Sequence, residues 1–279
     1  MFEVSLLYQH SYSSIYYEGH QKSDYKYIDY SYFDFSSLRV SYGITNRLKM
    51  RAEIGFFFSK AQTFDFGYDR AANGFGDLIL GVQYDVYQNI PLAIDIFPSF
   101  DFTIPVGKFD QMNGPVVLPI DIQPSSGSFK YNAGLLFSKR FLAGKVALFV
   151  SGNAEFSQRI NTERTNYKYG NLYNASIYGA YTFFKHLTTA IQLRLMVRDR
   201  ASDANKEKVN ATGGTYLFLT PQVRYTFFKY WSLGFLFELP IYKYVNGTQL
   251  TNDYAFSFRF SRTINFNKKK PALFEEPTK

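Results

Sequence analysis

Histidine is the side chain most often used for acid–base catalysis near neutral pH, and the sequence holds three, His10, His20 and His186. A serine hydrolase needs a histidine within hydrogen-bonding distance of its serine. His10 and Ser11 are neighbours in a segment with strand periodicity, so their side chains point to opposite faces. His20 lies in a tyrosine-rich stretch and His186 in a short turn. We therefore predict that the protein is not an enzyme and has no catalytic residue.

Metal and cofactor sites are also missing from the sequence pattern. The chain has no cysteine, which excludes thiol catalysis, cysteine zinc sites and disulfides. No group of histidines and carboxylates has the spacing of metal ligands. The glycines Gly74 and Gly76 open a strand-like segment, with neither a helix nor a lysine to complete a phosphate-binding loop. We predict no metal and no cofactor.

Charged residues instead alternate with apolar ones, a pattern suited to ion pairs or to a path for polar groups. In residues 48–59, Lys49, Arg51 and Glu53 are each separated by an apolar residue. Residues 187–198 and 253–266 repeat the alternation. A period of two predicts strands with one apolar face and one charged face.

Twelve segments of roughly ten residues show this period. They are 2–13, 35–45, 48–59, 74–87, 91–105, 128–140, 145–158, 171–183, 187–199, 215–227, 232–243 and 253–266. Five tight turns alternate with long polar connections. The long connections are 14–34, 60–73, 106–127, 159–170, 200–214 and 244–252.

This arithmetic predicts an all-β fold, a transmembrane antiparallel β-barrel of about 12 strands with short periplasmic turns and long extracellular loops. Residues 1–266 would form the barrel and residues 267–279 a short basic periplasmic tail. A soluble sandwich or lipocalin-like barrel can show similar alternation. That alternative would place a charge from nearly every strand in an apolar interior, which is very costly.

Much of the net charge of +8 comes from basic residues at the predicted membrane edge. Residues 181–188 (YTFFKHLT) and 225–232 (YTFFKYWS) repeat aromatic residues followed by a lysine at two tight turns. Aromatic rings and lysines both suit the membrane interface. We therefore predict outer-membrane lipids as partners and no nucleic-acid binding.

If the apolar faces meet lipid, the opposite faces line the lumen. Nine cations and eight carboxylates fall on that side, which indicates ion pairs rather than a pore of one dominant charge. The cations are Arg39, Lys49, Arg51, Lys130, Arg140, Arg194, Arg198, Arg224 and Arg259. The carboxylates are Glu3, Glu53, Asp77, Asp85, Asp95, Asp101, Glu155 and Glu238.

These charges either line a transport path or fill the interior and stiffen the barrel. Our transport candidates are Arg51, Glu53, Asp101, Arg194, Arg198, Arg224, Glu238 and Arg259.

Two long connections are further candidates. Residues 14–34 include Tyr25 and Tyr27 and could stack a ring, or the flanking strands simply continue there with their tyrosines packed together. Residues 106–127 include Leu118 and Ile120 among several apolar residues, which should not stay in water. We expect this loop either to fold into the barrel mouth or to dock onto another protein.

Pro98 and Pro221 lie inside predicted strands on the lipid face. Proline lacks a backbone N–H, so each predicts a bulge or a local break in strand pairing.

The final segment FSFRFSRTINF, with its terminal Phe266, is similar to the signal that the barrel-assembly machinery recognises in outer-membrane proteins. The stretches GFGDLILGVQYDVY (74–87), FTIPVGKFD (102–110) and GSFKYNAGLLFSKRF (127–141) resemble the meta-pathway phenol-degradation family of outer-membrane transporters. The resemblance implies location in the outer membrane of a Gram-negative bacterium and passage of small, often hydrophobic or aromatic compounds.

Together these features predict a porin-like channel or transporter for passive passage of small compounds. The alternative is a structural or accessory barrel subunit within a larger outer-membrane protein complex.

Overall fold

The computed structural model describes residues 1–228 and 230–264, which form a closed β-sheet with one short 3-10 helix, Leu142–Gly144. Eleven long strands build the wall. They are β1 (Phe2–Gly19), β2 (Ile28–Gly43), β3 (Leu48–Phe64), β4 (Asp69–Tyr84), β5 (Ile94–Ile104), β6 (Lys130–Phe141), β7 (Val146–Ser157), β8 (Leu172–Phe183), β9 (Leu187–Arg198), β10 (Gly214–Phe227) and β11 (Trp231–Ile264). Short strands lie outside this ring at Gln21–Ser23, Tyr87–Asn89, Met112–Asn113, Val116–Val117, Ile160–Asn161 and Asn166–Tyr167. Among the described residues, no helix is long and apolar enough to span a membrane.

Each long strand pairs antiparallel with its neighbours in the chain, and β1 pairs with β11 to close the barrel. The 34-residue β11 consists of two arms that pair with different strands. In the first arm Trp231 pairs with Phe227 of β10, and in the second arm Ile264 pairs with Phe2 of β1. Counting its two arms separately gives twelve crossings within the described residues. The predicted barrel of about 12 strands is therefore confirmed.

Several predicted loop bounds were wrong. Much of 14–34 and 60–73, and all of 244–252, belongs to strands β1 to β4 and β11. Beyond the membrane the alternation of apolar residues is lost, but pairing still satisfies the backbone hydrogen-bonding groups. Tyrosines pack along these extensions, as Tyr30 and Tyr32 do with ring centroids 6.4 Å apart. The strands therefore continue through much of 14–34, and stacking of a ring by Tyr25 and Tyr27 stays a prediction.

The two faces of the wall differ as predicted. Outward side chains are apolar and exposed, for example Leu6 at 51 % and Ile191 at 62 %. Inward side chains are polar and covered, for example Ser37 at 2 % and Asp101 at 5 % exposure. An apolar exterior around a polar interior is the arrangement that a bilayer requires.

The two prolines that were predicted to break pairing, Pro98 and Pro221, do so on one side only. Pro98 pairs with Leu135 of β6, and Pro221 pairs with Ile191 of β9. On the other side, neither proline has a Cα partner among the described strands. The predicted local breaks are therefore present.

The predicted tail 267–279 and the aromatic Phe266 of the assembly signal lie outside the described residues.

Candidate functional site in the barrel lumen

Six of the nine predicted lumenal cations form ion pairs with predicted lumenal carboxylates. The pairs are Arg39–Glu53 (2.6 Å), Lys49–Glu3 (3.6 Å), Arg51–Asp101 (2.5 Å), Lys130–Glu155 (4.0 Å), Arg140–Asp95 (3.2 Å) and Arg194–Glu238 (2.6 Å). Each pair joins strands that are adjacent or one strand apart, so these bridges run along the wall. The other three cations, Arg198, Arg224 and Arg259, form no salt bridge with any residue in the described ranges.

The Arg51–Asp101 pair spans three strands because the intervening strand carries a glycine. Arg51 of β3 is in register with Gly81 of β4, and Gly81 with Asp101 of β5. Arg51 donates to both carboxylate oxygens of Asp101, and Asn132 of β6 donates a further hydrogen bond at 3.1 Å. A Cβ on Gly81 would overlap Asp101 Oδ1 and lie 2.6 Å from Arg51 Nε. The missing side chain therefore makes the bridge possible.

We expect Gly81→Ala to lower the free energy of unfolding by about 1–3 kcal/mol, because the new methyl group forces the bridge apart. Gly179→Ala is the matched control, since a Cβ there meets no atom within 4 Å. Urea unfolding in lipid vesicles would measure both variants. Equal midpoints for the two would contradict this account of Gly81.

The Arg194–Glu238 pair borders a cavity of about 310 Å³ inside the barrel. Arg194 lies over the ring of Phe218 on the intervening strand, 4.4 Å from its centroid. Leu7 and Leu236 also line the cavity, so its surface combines apolar and charged groups. Such a mixture can accept a small molecule that has one polar end.

The segment 105–129 folds into the barrel mouth. This is one of the two outcomes expected from the sequence for residues 106–127. Lys60 Nζ of β3 donates to the carbonyl oxygen of Gln123 at 2.9 Å. Gln62 of the same strand donates to Asp121 at 2.7 Å, and Arg70 donates to Gln62 in turn. These contacts fix the segment against the inner side of β3.

A second anchor holds the same segment against β4. Both carboxylate oxygens of Asp77 accept hydrogen bonds, Oδ1 from Ser125 at 2.7 Å and Oδ2 from Ser126. Leu118 and Ile122 form a buried cluster with Ala72 of β4. The inward segment is therefore an ordered part of the lumen.

One further loop contacts this segment, and a second loop contacts the first. Thr165 in 158–171 donates to Asp110 at 2.9 Å, and Tyr169 donates to the carbonyl oxygen of Ser126 at 3.1 Å. Burial raises the pKa of Tyr169, so its hydroxyl stays protonated. Arg159 contacts Ser202 in 199–213 at 2.8 Å. The long-loop end of the barrel is consequently covered by a layer of hydrogen-bonded loops.

The loop candidates occupy different environments. Tyr25 and Tyr27 are 53 % and 52 % exposed, and they contact Tyr16 and Phe64 edge-on at 5.0 and 5.1 Å. Leu118 is buried, whereas its neighbour Ile120 is partly exposed. Only Leu118 of the four is part of the buried core of the mouth.

Sequence reasoning missed Lys60 and an aromatic cluster inside the barrel. The strand pairing shifts between Phe57 and Lys60, which reverses the inward and outward alternation beyond that point. Phe57 contacts Phe35 at 4.8 Å, and Lys60 lies 5.0 Å from the Phe57 ring centroid. The Lys243–Asp253 pair (3.6 Å) was missed as well, because a second shift in strand pairing, between Pro240 and Tyr242, reverses the alternation before Lys243. A strict period of two cannot locate a bulge, so no signal in the sequence revealed this reversal.

Asp85 lies in the turn after β4 and is only 3 % exposed. Burial raises its pKa, the neighbouring Asp95 raises it further, and Arg47 partly opposes the shift. A carboxyl group with a raised pKa in the folded state stabilises the fold at low pH. That contribution is lost as the pH rises through the raised pKa.

We expect Asp85→Asn to unfold at higher urea than the wild type at about pH 7 and at similar urea at about pH 4, since asparagine cannot ionise. Asp69→Asn, at an exposed carboxylate, is the control variant. Unfolding midpoints at the two pH values would test this. A difference that does not change with pH would contradict the role assigned to Asp85 ionisation.

The fold is that of bacterial outer-membrane channels. The COG4313 outer membrane channel from Pseudomonas putida F1 superposes with a TM-score of 0.76 at 15 % identity, covering 94 % of this chain and 95 % of that one. The transport unit of the autotransporter AIDA-I from Escherichia coli gives 0.57 at 8 % identity, with 95 % and 90 % covered. The NanC porin gives 0.52 at 12 % identity, with 95 % and 100 % covered.

No curated protein sequence matches the chain significantly. The family described as "Putative MetA-pathway of phenol degradation" matches residues 30–260. That match spans most of the barrel, including all the transport candidates predicted from the sequence. The protein is thus a β-barrel of the bacterial outer membrane, and it belongs to the family of the MetA-pathway of phenol degradation.

Proposed function

We propose that the protein is a passive outer-membrane channel for small compounds that have an apolar or aromatic body, and that it is not an enzyme. The observation that carries this proposal is the lumenal cavity of about 310 Å³, lined by Leu7 and Leu236 beside the Arg194–Glu238 pair. If the lumenal charges only stiffened the barrel, side chains would fill the interior. The interior of this barrel instead has a cavity with room for a small molecule.

The passage has two parts with different chemistry. At the mouth, the inward segment anchored by the buried Leu118 and Ile122 narrows the lumen, and the exposed Tyr25 and Tyr27 offer rings for stacking at the rim. Below the mouth, ion pairs such as Arg51–Asp101 keep charges on the wall neutralised. Beside these pairs, a solute with a small polar group can replace water without meeting a strong field of one sign.

Transport needs no energy source in this scheme. A solute enters through the loops, passes the cavity and leaves at the tight-turn end by diffusion down its gradient. The lipid-facing surface, with exposed residues such as Ile191 and Leu6, holds the barrel in the outer membrane. We propose that the barrel-assembly machinery inserts the chain, acting on its last strand.

The test is single-channel conductance of the purified protein in planar bilayers, together with swelling of liposomes in small neutral solutes. We expect small, steady openings that change when Arg194→Ala removes the bridge to Glu238. Arg262→Ala is the control, because that arginine stacks on Trp231 at 4.8 Å on the outer face.

A silent bilayer and absent swelling from a folded barrel would overturn the channel proposal. In that case, purification of a stable complex with other outer-membrane proteins would support an accessory-subunit role.

A further inference from the structure

We propose that Arg224 and Arg259 form an anion-binding site in the lumen that selects compounds with a carboxylate on a small apolar body. This inference deepens the proposed channel function by naming a substrate class, and it rests on that function. Among the described residues, six of the predicted lumenal cations are paired with carboxylates, whereas Arg224 and Arg259 are not.

The two arginines are neighbours on the inner face. Arg224 of β10 is in register with Gly234 in the first arm of β11. A Cβ on Gly234 would lie 3.9 Å from Cβ of Arg259 in the second arm. Gly234 therefore separates the two arginines without filling the space between them.

Neither arginine has a carboxylate partner among the described residues. Within residues 1–228 and 230–264, Arg224 and Arg259 form no salt bridge, and Arg224 is exposed in the lumen. The carboxylates on nearby strands already have their own cations, since Glu53 binds Arg39 at 2.6 Å and Glu3 lies 3.6 Å from Lys49. The local excess is two positive charges.

The position of Arg259 connects this excess to the cavity. Arg259 lines the 310 Å³ cavity together with Leu7, Thr220 and Leu236, and the Arg194–Glu238 pair borders it as well. A guanidinium group binds a carboxylate with paired N–H donors, and leucine side chains contact an apolar body. One small molecule can satisfy both requirements if it carries a carboxylate at one end.

The opposite ligand class does not fit. A cation in the cavity would meet the uncompensated Arg259, with Arg224 nearby, and Glu238, the one carboxylate among the described residues that line the cavity, is held by Arg194. A neutral aromatic compound would satisfy the leucines but leave the arginines without a partner. The structure thus favours an anionic solute over cationic and neutral ones of similar size.

The probe for this site is para-fluorobenzoate, observed by fluorine NMR line broadening in the detergent-solubilised barrel. Para-fluorobenzyl alcohol and para-fluorobenzylammonium are the neutral and cationic probes of similar shape. We expect saturable broadening of the benzoate that weakens about tenfold in Arg259→Gln, the loss expected for one charge-assisted hydrogen bond. Arg224→Gln should weaken it as well, and Arg259→Lys should retain more binding than Arg259→Gln.

Arg262→Gln is the matched control, an arginine three residues away on the outer face of the same strand. Circular dichroism and heat-modified gel mobility would show that each variant is folded. Equal broadening of benzoate in wild type and Arg259→Gln would overturn the anion site, as would equal broadening by the benzyl alcohol.

Because the NMR experiment detects binding without transport, it separates the two proposals. A conducting barrel that does not bind benzoate would overturn the anion site alone. A barrel that binds benzoate through Arg259 but does not conduct would overturn the channel proposal alone.

Discussion

Deleting residues 112–122 should increase single-channel conductance severalfold, because it removes the part of the inward segment that packs against Ala72 inside the barrel mouth. The ends of the deletion are already close together. Gln111 N–H donates to the side chain of Gln123 at 2.9 Å, and the Gln123 amide donates back to the Gln111 carbonyl oxygen at 3.2 Å. A short glycine linker can therefore join 111 to 123.

The anchors Lys60 and Asp77 would keep their contacts with Gln123 and Ser125 in this deletion. Deleting the exposed tip 204–206 is the control, since it shortens a different long loop at exposed residues. An unchanged conductance after deletion of 112–122 would show that the narrowest point lies elsewhere. A rise in both variants would indicate a general loosening of the mouth.

Ile191→Arg should lower the free energy of unfolding in lipid by about 2–4 kcal/mol, the cost of an arginine near the middle of the lipid face of a barrel. Ile191 lies near the centre of β9 and is 62 % exposed on the outer wall. Its neighbour Gln192 points inward and accepts a hydrogen bond from Gln222 at 3.1 Å.

Gln192→Arg is therefore the matched control, with the same new side chain one position along the same strand. We expect it to fold with a much smaller loss, because the lumen provides polar surroundings. Unfolding in vesicles with increasing urea would measure both variants. If the two substitutions were equally costly, the assignment of lipid and lumen faces in β9 would be wrong.

The strand centres were predictable from sequence because lipid imposes a strict rule on them. Every second residue that meets hydrocarbon must be apolar, so the period of two is clear in 48–56 and 187–197. Above the membrane, side chains no longer need to be apolar at every second position. The long extensions of β1 and β11 therefore showed no clear period of two in the sequence. The extra residue between Phe57 and Lys60 left no signal in the sequence either.

The candidate site was predictable in its composition but not in its pairing. Alternation placed Arg51, Asp101 and Arg259 on the inner face. It could not show that Arg51 reaches past Gly81 to Asp101, because that contact depends on the register of three strands. The same limitation hid which arginines stay unpaired, and it hid the contact of Lys60 with the inward loop.

The closing seam of the barrel joins the two ends of the described chain, since Phe2 pairs with Ile264. That pairing cannot form until the final strand has been synthesised and delivered, whereas each interior hairpin needs only its immediate neighbour. Until then, β1 and the growing edge both expose unpaired backbone groups and invite wrong partners. The late pairing of distant segments should make closure the slow step of folding. The chain therefore needs protection during its passage across the periplasm.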